Sequence, residues 1–129
     1  MKIFEATFQS PRTFEIWDYQ ISHGQLLIRS PKNTKASSQP FQMNNIDLVF
    51  LDVNYMFLPD RLEGLEITTP NDSEISSVNS FLEQSVPTKH FHILKSGNKR
   101  FCVVSFFIQI TENNWDIYDS PFEFRSRQA

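Results

Sequence analysis

The spacing of apolar residues along the chain predicts a protein built mainly from β-strands. Phe4, Ala6 and Phe8 alternate with polar neighbours, as in a strand with one buried face, and Ser10-Pro11 is expected to end that strand. Residues 13 to 30 form two apolar-rich runs around Gly24, and this arrangement predicts a β-hairpin. A polar stretch over 31–44 follows and predicts a loop.

The strongest strand signal is the run from residue 46 to 58, which is rich in β-branched and aromatic residues and stops before Pro59. A strand this apolar belongs in the middle of a sheet, and its alternation changes around Asp52–Asn54, where we expect a bulge or bend. A turn over 60–64 then leads into a short strand over 65–68.

A second hairpin is predicted from residues 89–95 and 99–111, joined through Ser96-Gly97-Asn98, and 115–118 is expected to add a last short strand. One segment has helical spacing instead. Its apolar residues are Ile75, Val78 and Leu82. Asn71 is placed to cap this helix together with Glu74.

The predicted fold class is therefore α+β and mainly β, with seven or eight mostly antiparallel strands in a curved, barrel-like or sandwich sheet and one short helix at about 72–85. We expect a single domain over 1–129 with a frayed end over 120–129. Composition agrees: 40% of the residues are hydrophobic and thirteen are Phe, enough to fill a core.

The net charge and the cysteine content narrow the expected partners and the expected cellular compartment. A net charge of −3 and a pI near 5.5 give no field that gathers phosphates, so nucleic acid is not expected as a partner. The chain has no run of about 18 apolar residues and no secretory leader pattern, so we expect no membrane partner. One cysteine, Cys102, cannot form an internal disulfide, which favours the cytoplasm.

No residue set predicts a metal site, a cofactor or a catalytic centre. His90 and His92 would share one face of a strand, a spacing some metal sites use, but without a third ligand they fit the solvent face of that strand better. Cys102 lies among Phe and Val residues and is expected to be a buried, inert thiol. We expect no bound cofactor or metal, and the balance is against an enzyme.

Carboxylates and aromatics supply the remaining candidates. Asp47 and Asp52 are expected on opposite faces of one strand, and Asp52, flanked by apolar residues, needs a partner such as Arg29 or Arg61. Aromatic residues at 17, 19, 55 and 115 fit either an interface patch or an ordinary core. The candidate interaction or pocket residues are Trp17, His23, Asp52, Tyr55, His90 and Trp115.

The runs 22–30 and 45–50, followed by Tyr55, Leu58-Pro59 and 64–67, are similar to a small family of uncharacterised bacterial proteins. The similarity covers roughly the middle third of the chain and implies no particular activity. Small acidic bacterial domains of this kind resemble immunity proteins that neutralise a toxin, and this analogy implies a protein partner.

Three hypotheses follow. The first is a non-enzymatic module that binds another protein through exposed aromatic and acidic groups. The second is a small-molecule-binding or enzymatic β-barrel whose interior is lined by Phe and by His23, His90 or Asp52. The third is a structural homo-oligomer, with a dimer as the simplest form, in which an edge strand over residues 2–8 pairs with a copy of itself.

Overall fold

The computed structural model describes residues 2–4, 7–34 and 41–116. The strands in these ranges are β1 (Lys2–Phe4), β2 (Gln9–Gln20), β3 (Gln25–Ser30), β4 (Asn45–Phe57), β5 (Arg61–Thr68), β6 (Phe91–Ser96) and β7 (Lys99–Asn113). The one α-helix among them is α1 (Asp72–Leu82), and two 3-10 turns cover Ile21–His23 and Thr88–His90. No helix in the described residues is both long and apolar enough to cross a membrane.

The seven strands are antiparallel and six of them close into a barrel. The order runs β7-β4-β3-β2-β5-β6, and β6 pairs again with β7 to complete the circle. The edge of β7 opposite β4 is shared, because β6 pairs with its first half and β1 with its last residues. This confirms the predicted mainly-β fold with one short helix, and closure resolves the choice between barrel and sandwich.

Apolar side chains fill the barrel. Cross-strand neighbours such as Leu26 and Phe50, or Ile28 and Leu48, place their side chains on the inner face because alternate residues of a strand face one side. The fully buried members of this core include Phe14, Leu26, Leu48, Phe50, Leu94 and Val103. The interior is therefore a packed core rather than a ligand chamber.

Helix α1 packs on the outside of the barrel, where Val78 meets a second apolar cluster that includes Ile93 and Val104. The predicted capping box is present: Asn71 Oδ1 accepts from the Glu74 N–H at 2.8 Å, and Glu74 Oε1 accepts from the Asn71 N–H at 2.9 Å. The helix ends at Leu82, before the predicted residue 85, because the next residue adopts a left-handed conformation.

Three predicted strand boundaries are wrong. Ser10-Pro11 does not end a strand, because β2 runs through it, and an irregular register at that point removes the need for a proline N–H. β5 begins at Arg61 rather than at residue 65. Trp115 and Asp116 are not in a strand, and the rest of the predicted strand at 115–118 lies outside the described residues.

Two further boundaries differ. The strand predicted over residues 2–8 is found as Lys2–Phe4, with Thr7 and Phe8 outside any strand, and the strand predicted from residue 89 begins at Phe91.

The two hairpins, the central strand and its bulge are confirmed. Both hairpins form, with β2 paired to β3 and β6 paired to β7. β4 lies between β3 and β7, and its register shifts between Val53 and Tyr55, close to the predicted bulge. The described parts of the loop at 31–44 contain one isolated bridge, Asn33 to Gln42, and the frayed end predicted over 120–129 lies outside the described residues.

Candidate functional site

A groove of about 760 Å³ lies in the wall of the barrel. Its lining comes from the approach to β2, the end of β5 with the following turn, the start of β6 with the 3-10 turn before it, and the middle of β7. We call it the seam groove, defined by Thr7, Gln9, residues 66–70, Thr88, Lys89, Phe91, His92 and residues 106–108.

The groove exists because two strands share one edge of β7 without meeting. β6 pairs with residues 99–104 of β7, and β1 pairs with residues 110–112. Among the described strands none pairs with residues 105–109 on this edge. Within the part of the chain that the structure describes, the sheet wall is therefore interrupted along this stretch of β7.

On this edge of β7, side chains form hydrogen bonds with main-chain carbonyls that no described strand pairs with. His92 Nε2 lies 3.3 Å from the Ser105 carbonyl oxygen, and the Ser105 hydroxyl donates to the Phe107 carbonyl oxygen at 3.1 Å. Buried carbonyls need such partners, since an unpaired one loses its hydrogen bond to water. These contacts stabilise an edge that, without them, would leave both acceptors unpaired.

His92 is the one imidazole that lines the groove, and it is only 8% exposed. Its ring centre lies 5.7 Å from that of Phe50, a core residue. Burial lowers the pKa of His92 and is the largest effect; the hydrogen bond to the Ser105 carbonyl opposes it, and the neighbouring charge of His90 adds a smaller lowering. The ring is therefore neutral near pH 7.

Two aromatic side chains beside His92 face water. Phe106 is 66% exposed and Phe107 is 43% exposed, although both belong to a long strand of the barrel. The His90 ring packs against Phe106 with centres 5.5 Å apart. Adjacent exposed phenylalanines in a groove are typical of binding surfaces rather than of a folded core.

The two histidine predictions are wrong in position. His90 does not share a strand face with His92, because the 3-10 turn places it before β6 begins. His92 does not lie on the solvent face, because its side chain is buried. Within the described part of the chain no group of three or more His, Cys, Asp or Glu residues is arranged to hold a metal ion.

A second polar group lies elsewhere, between β3, β4 and β7. Arg29 donates to both Asp47 oxygens at 2.7 and 2.9 Å, and neither side chain is exposed. Asn113 donates to Asp47 at 2.8 Å and links it to Asn45. We call these four residues the Arg29–Asp47 cluster. Arg29, one of the partners expected for a buried Asp52, is therefore paired with Asp47 instead.

Asp52 is exposed because the backbone turns there, with φ of +55°. The turn brings this corner of β4 against Gly24, whose carbonyl accepts from the Val53 N–H at 2.8 Å. A Cβ on Gly24 would lie 3.2 Å from main-chain atoms of Val53, so the approach favours glycine. His23 is exposed beside this corner, far along the chain from His90.

The aromatic candidates are dispersed. Trp17 lies under the Arg29 guanidinium at 5.5 Å, and the Trp115 carbonyl accepts from Asn45 at 2.9 Å. The Tyr55 ring contacts Phe81 of α1, with centres 5.7 Å apart. Of the six residues singled out from the sequence, only His90 adjoins the seam groove, through its contact with Phe106.

Cys102 is buried on the side of β7 that faces α1. Burial raises the pKa of its thiol to about 11, and the charge of Glu74 contributes to the increase. The thiolate is scarce at neutral pH, and thiolate is the nucleophilic form. The side chain matches the inert packing residue predicted from the sequence.

No protein-family model, curated protein or solved structure matches this chain. The resemblance drawn on its middle third stays a prediction.

Sequence reasoning missed the residues that matter most in the seam groove: His92, Phe106 and Phe107. One signal was present. Two consecutive phenylalanines in a strand point to opposite faces, so one of them must be exposed unless both faces are covered. The gap between β6 and β1 had no comparable signal, because it depends on where distant strands pair.

Proposed function

We propose that this protein is a non-enzymatic binding module that takes an extended segment of a partner protein into the seam groove. The observation that carries the proposal is the interrupted edge of β7 at residues 105–109, which adjoins exposed aromatic side chains. A sheet edge accepts a peptide strand through main-chain hydrogen bonds, while neighbouring pockets take its side chains.

Length and chemistry both favour this occupant. Five residues of strand span about 17 Å, which suits a short extended segment. The Ser105 and Phe107 carbonyls lie two residues apart, so their main-chain groups point to the same edge of the strand. A peptide N–H can replace or add to the side-chain donors that now serve these oxygens.

The exposed rings supply affinity. Aromatic residues at the centre of an interface contribute more binding energy than most others, and truncating one commonly costs more than about 1 kcal/mol of binding free energy. Phe106 is the most exposed ring of the groove, so its loss should weaken binding the most.

The test uses a displayed library of random twelve-residue peptides, selected on the wild-type protein, with dissociation constants measured on synthetic copies. Phe106→Ser should weaken the selected peptides about tenfold or more. Phe81→Ser is the matched control, because Phe81 is 74% exposed but belongs to α1. The bound peptide should slow hydrogen exchange of the amides at residues 105–109.

Two results would contradict the proposal. Selected peptides that Phe81→Ser weakens as much as Phe106→Ser would place binding on the helix or make it nonspecific. Peptides that bind while leaving exchange at residues 105–109 unchanged would show that the β7 edge is not the docking site.

A further inference from the structure

The His92 imidazole is fixed on two sides. A carbonyl oxygen only accepts hydrogen bonds, so the contact of 3.3 Å between Nε2 and the Ser105 oxygen requires the proton on Nε2. Phe50 packs near the ring, with centres 5.7 Å apart. In the neutral ring the other nitrogen, Nδ1, therefore carries a lone pair and acts as an acceptor.

Nδ1 is the ring nitrogen that is left as an acceptor, and His92 lines the seam groove. No group in the described ranges donates to it, and the described residues contain no sealed side-chain nitrogen or oxygen that lacks a hydrogen-bond partner. Nδ1 is therefore accessible to solvent, although the His92 residue as a whole is only 8% exposed. The groove is the cavity that His92 lines.

The surroundings of this acceptor are mainly apolar. Phe91, Phe106 and Phe107 are among the residues that line the groove. The charged side chains that line it are Lys89 and Glu66. An apolar groove with one buried acceptor is complementary to a group that has an apolar body and a donor at its tip.

We infer that the seam groove receives a tyrosine side chain of the bound segment, whose O–H donates to His92 Nδ1. The inference rests on the proposed function, because it names the side chain that the docked segment presents. Aromatic rings pack favourably edge-to-face on other aromatic rings, and the phenol hydroxyl needs a partner when it is buried. Phenylalanine would leave Nδ1 without its partner.

The test compares N-acetyl-tyrosinamide with N-acetyl-phenylalaninamide, which differ by one hydroxyl, in titrations followed by NMR. The wild-type protein should prefer the tyrosine probe about threefold to tenfold, the range that one net hydrogen bond supplies. His92→Phe should abolish the preference. The matched control His90→Phe should retain it, because His90 packs on Phe106 rather than presenting Nδ1 to the groove.

A second measurement needs no variant and so does not depend on whether His92→Phe folds. The nitrogen chemical shift of Nδ1 in the wild-type protein should move toward that of a hydrogen-bonded acceptor with the tyrosine probe and stay unchanged with the phenylalanine probe. Equal affinity for both probes, or no movement at Nδ1, overturns the inference.

These outcomes separate the inference from the proposed function. Selected peptides that protect residues 105–109 without any preference for tyrosine leave the docking site intact and remove the role of His92. A preference for the tyrosine probe that depends on His92, together with no peptide that binds at the β7 edge, would keep the acceptor site and overturn the protein-binding proposal.

Discussion

The Arg29–Asp47 cluster and the seam groove both place polar groups among apolar strands, but the two regions differ in how many hydrogen bonds those groups make. Asp47 accepts three hydrogen bonds, two from Arg29 and one from Asn113, and the ion pair is fully sealed. His92 has one nitrogen bonded, and the other is left as an acceptor in a residue that lines a cavity. A buried polar group with all of its hydrogen bonds made indicates a structural role. A buried polar group with one hydrogen-bonding atom left over beside a groove indicates a position where a ligand can bind.

Position in the barrel explains the difference. Arg29 and Asp47 are direct neighbours across β3 and β4, and β7 continues beside β4 to bring in Asn113. Every edge there is paired. At the seam groove the pairing of β7 changes from β6 to β1, and the carbonyls between them take side-chain donors.

The largest effect is expected from Asp47→Asn, which removes the negative charge and leaves the Arg29 charge buried. Losing one partner of a buried ion pair costs about 3 to 5 kcal/mol of unfolding free energy. Urea denaturation followed by circular dichroism measures the loss.

Glu63→Gln is the control for Asp47→Asn. Its contact with Arg61 is 3.8 Å long and both side chains are largely exposed, so the change should be below about 1 kcal/mol. A loss below about 1 kcal/mol for Asp47→Asn as well would mean that the sealed cluster does not hold the strands together.

Local patterns explain which parts of this comparison the sequence could predict. The capping box of α1 and the bulge of β4 were both predicted, because each depends on residues close together in the chain. The sequence suggested Arg29 or Arg61 as a partner for Asp52 if that carboxylate were buried. The choice of Asp47 depends on the cross-strand register of β3 and β4, which local spacing does not show.

The seam groove was less predictable for the same reason. His92 lies on the face of β6 opposite Phe91 and Ile93, as the alternation predicts, but that face is covered, with the core residue Phe50 near the ring. The gap at 105–109 depends on β1, which joins from the other end of the chain. Contacts between distant segments created the site, and a single sequence does not show them.

A smaller effect is expected when the pH is lowered: the free energy of unfolding should fall, and His92 in the seam groove should cause the change. Burial lowers the pKa of folded His92 below the ordinary value of 6.5, so below that pH the unfolded chain binds a proton that the folded chain does not. The free energy of unfolding should therefore fall as the pH falls from about 7 to 5.5.

His92→Gln should flatten this decline, because the variant lacks the imidazole whose pKa burial lowers. Urea denaturation at each pH measures the slope. An unchanged slope in His92→Gln would mean that the pKa of His92 is the same in the folded and the unfolded chain, and burial would then not be what keeps the ring neutral.

The smallest effect is expected from Phe106→Ser in the absence of a ligand. Phe106 is 66% exposed, so its removal should change the unfolding free energy by no more than about 0.5 kcal/mol. Phe14→Ser removes a fully buried ring and should cost about 3 kcal/mol or more. The same urea titrations compare the two.

A loss above about 1 kcal/mol for Phe106→Ser would show that the ring stabilises the barrel through contacts such as that with His90. Its exposure would then follow from packing, and weaker peptide binding by the variant would no longer report on docking. A neutral change would leave ligand contact as the reason for a large ring on an open edge.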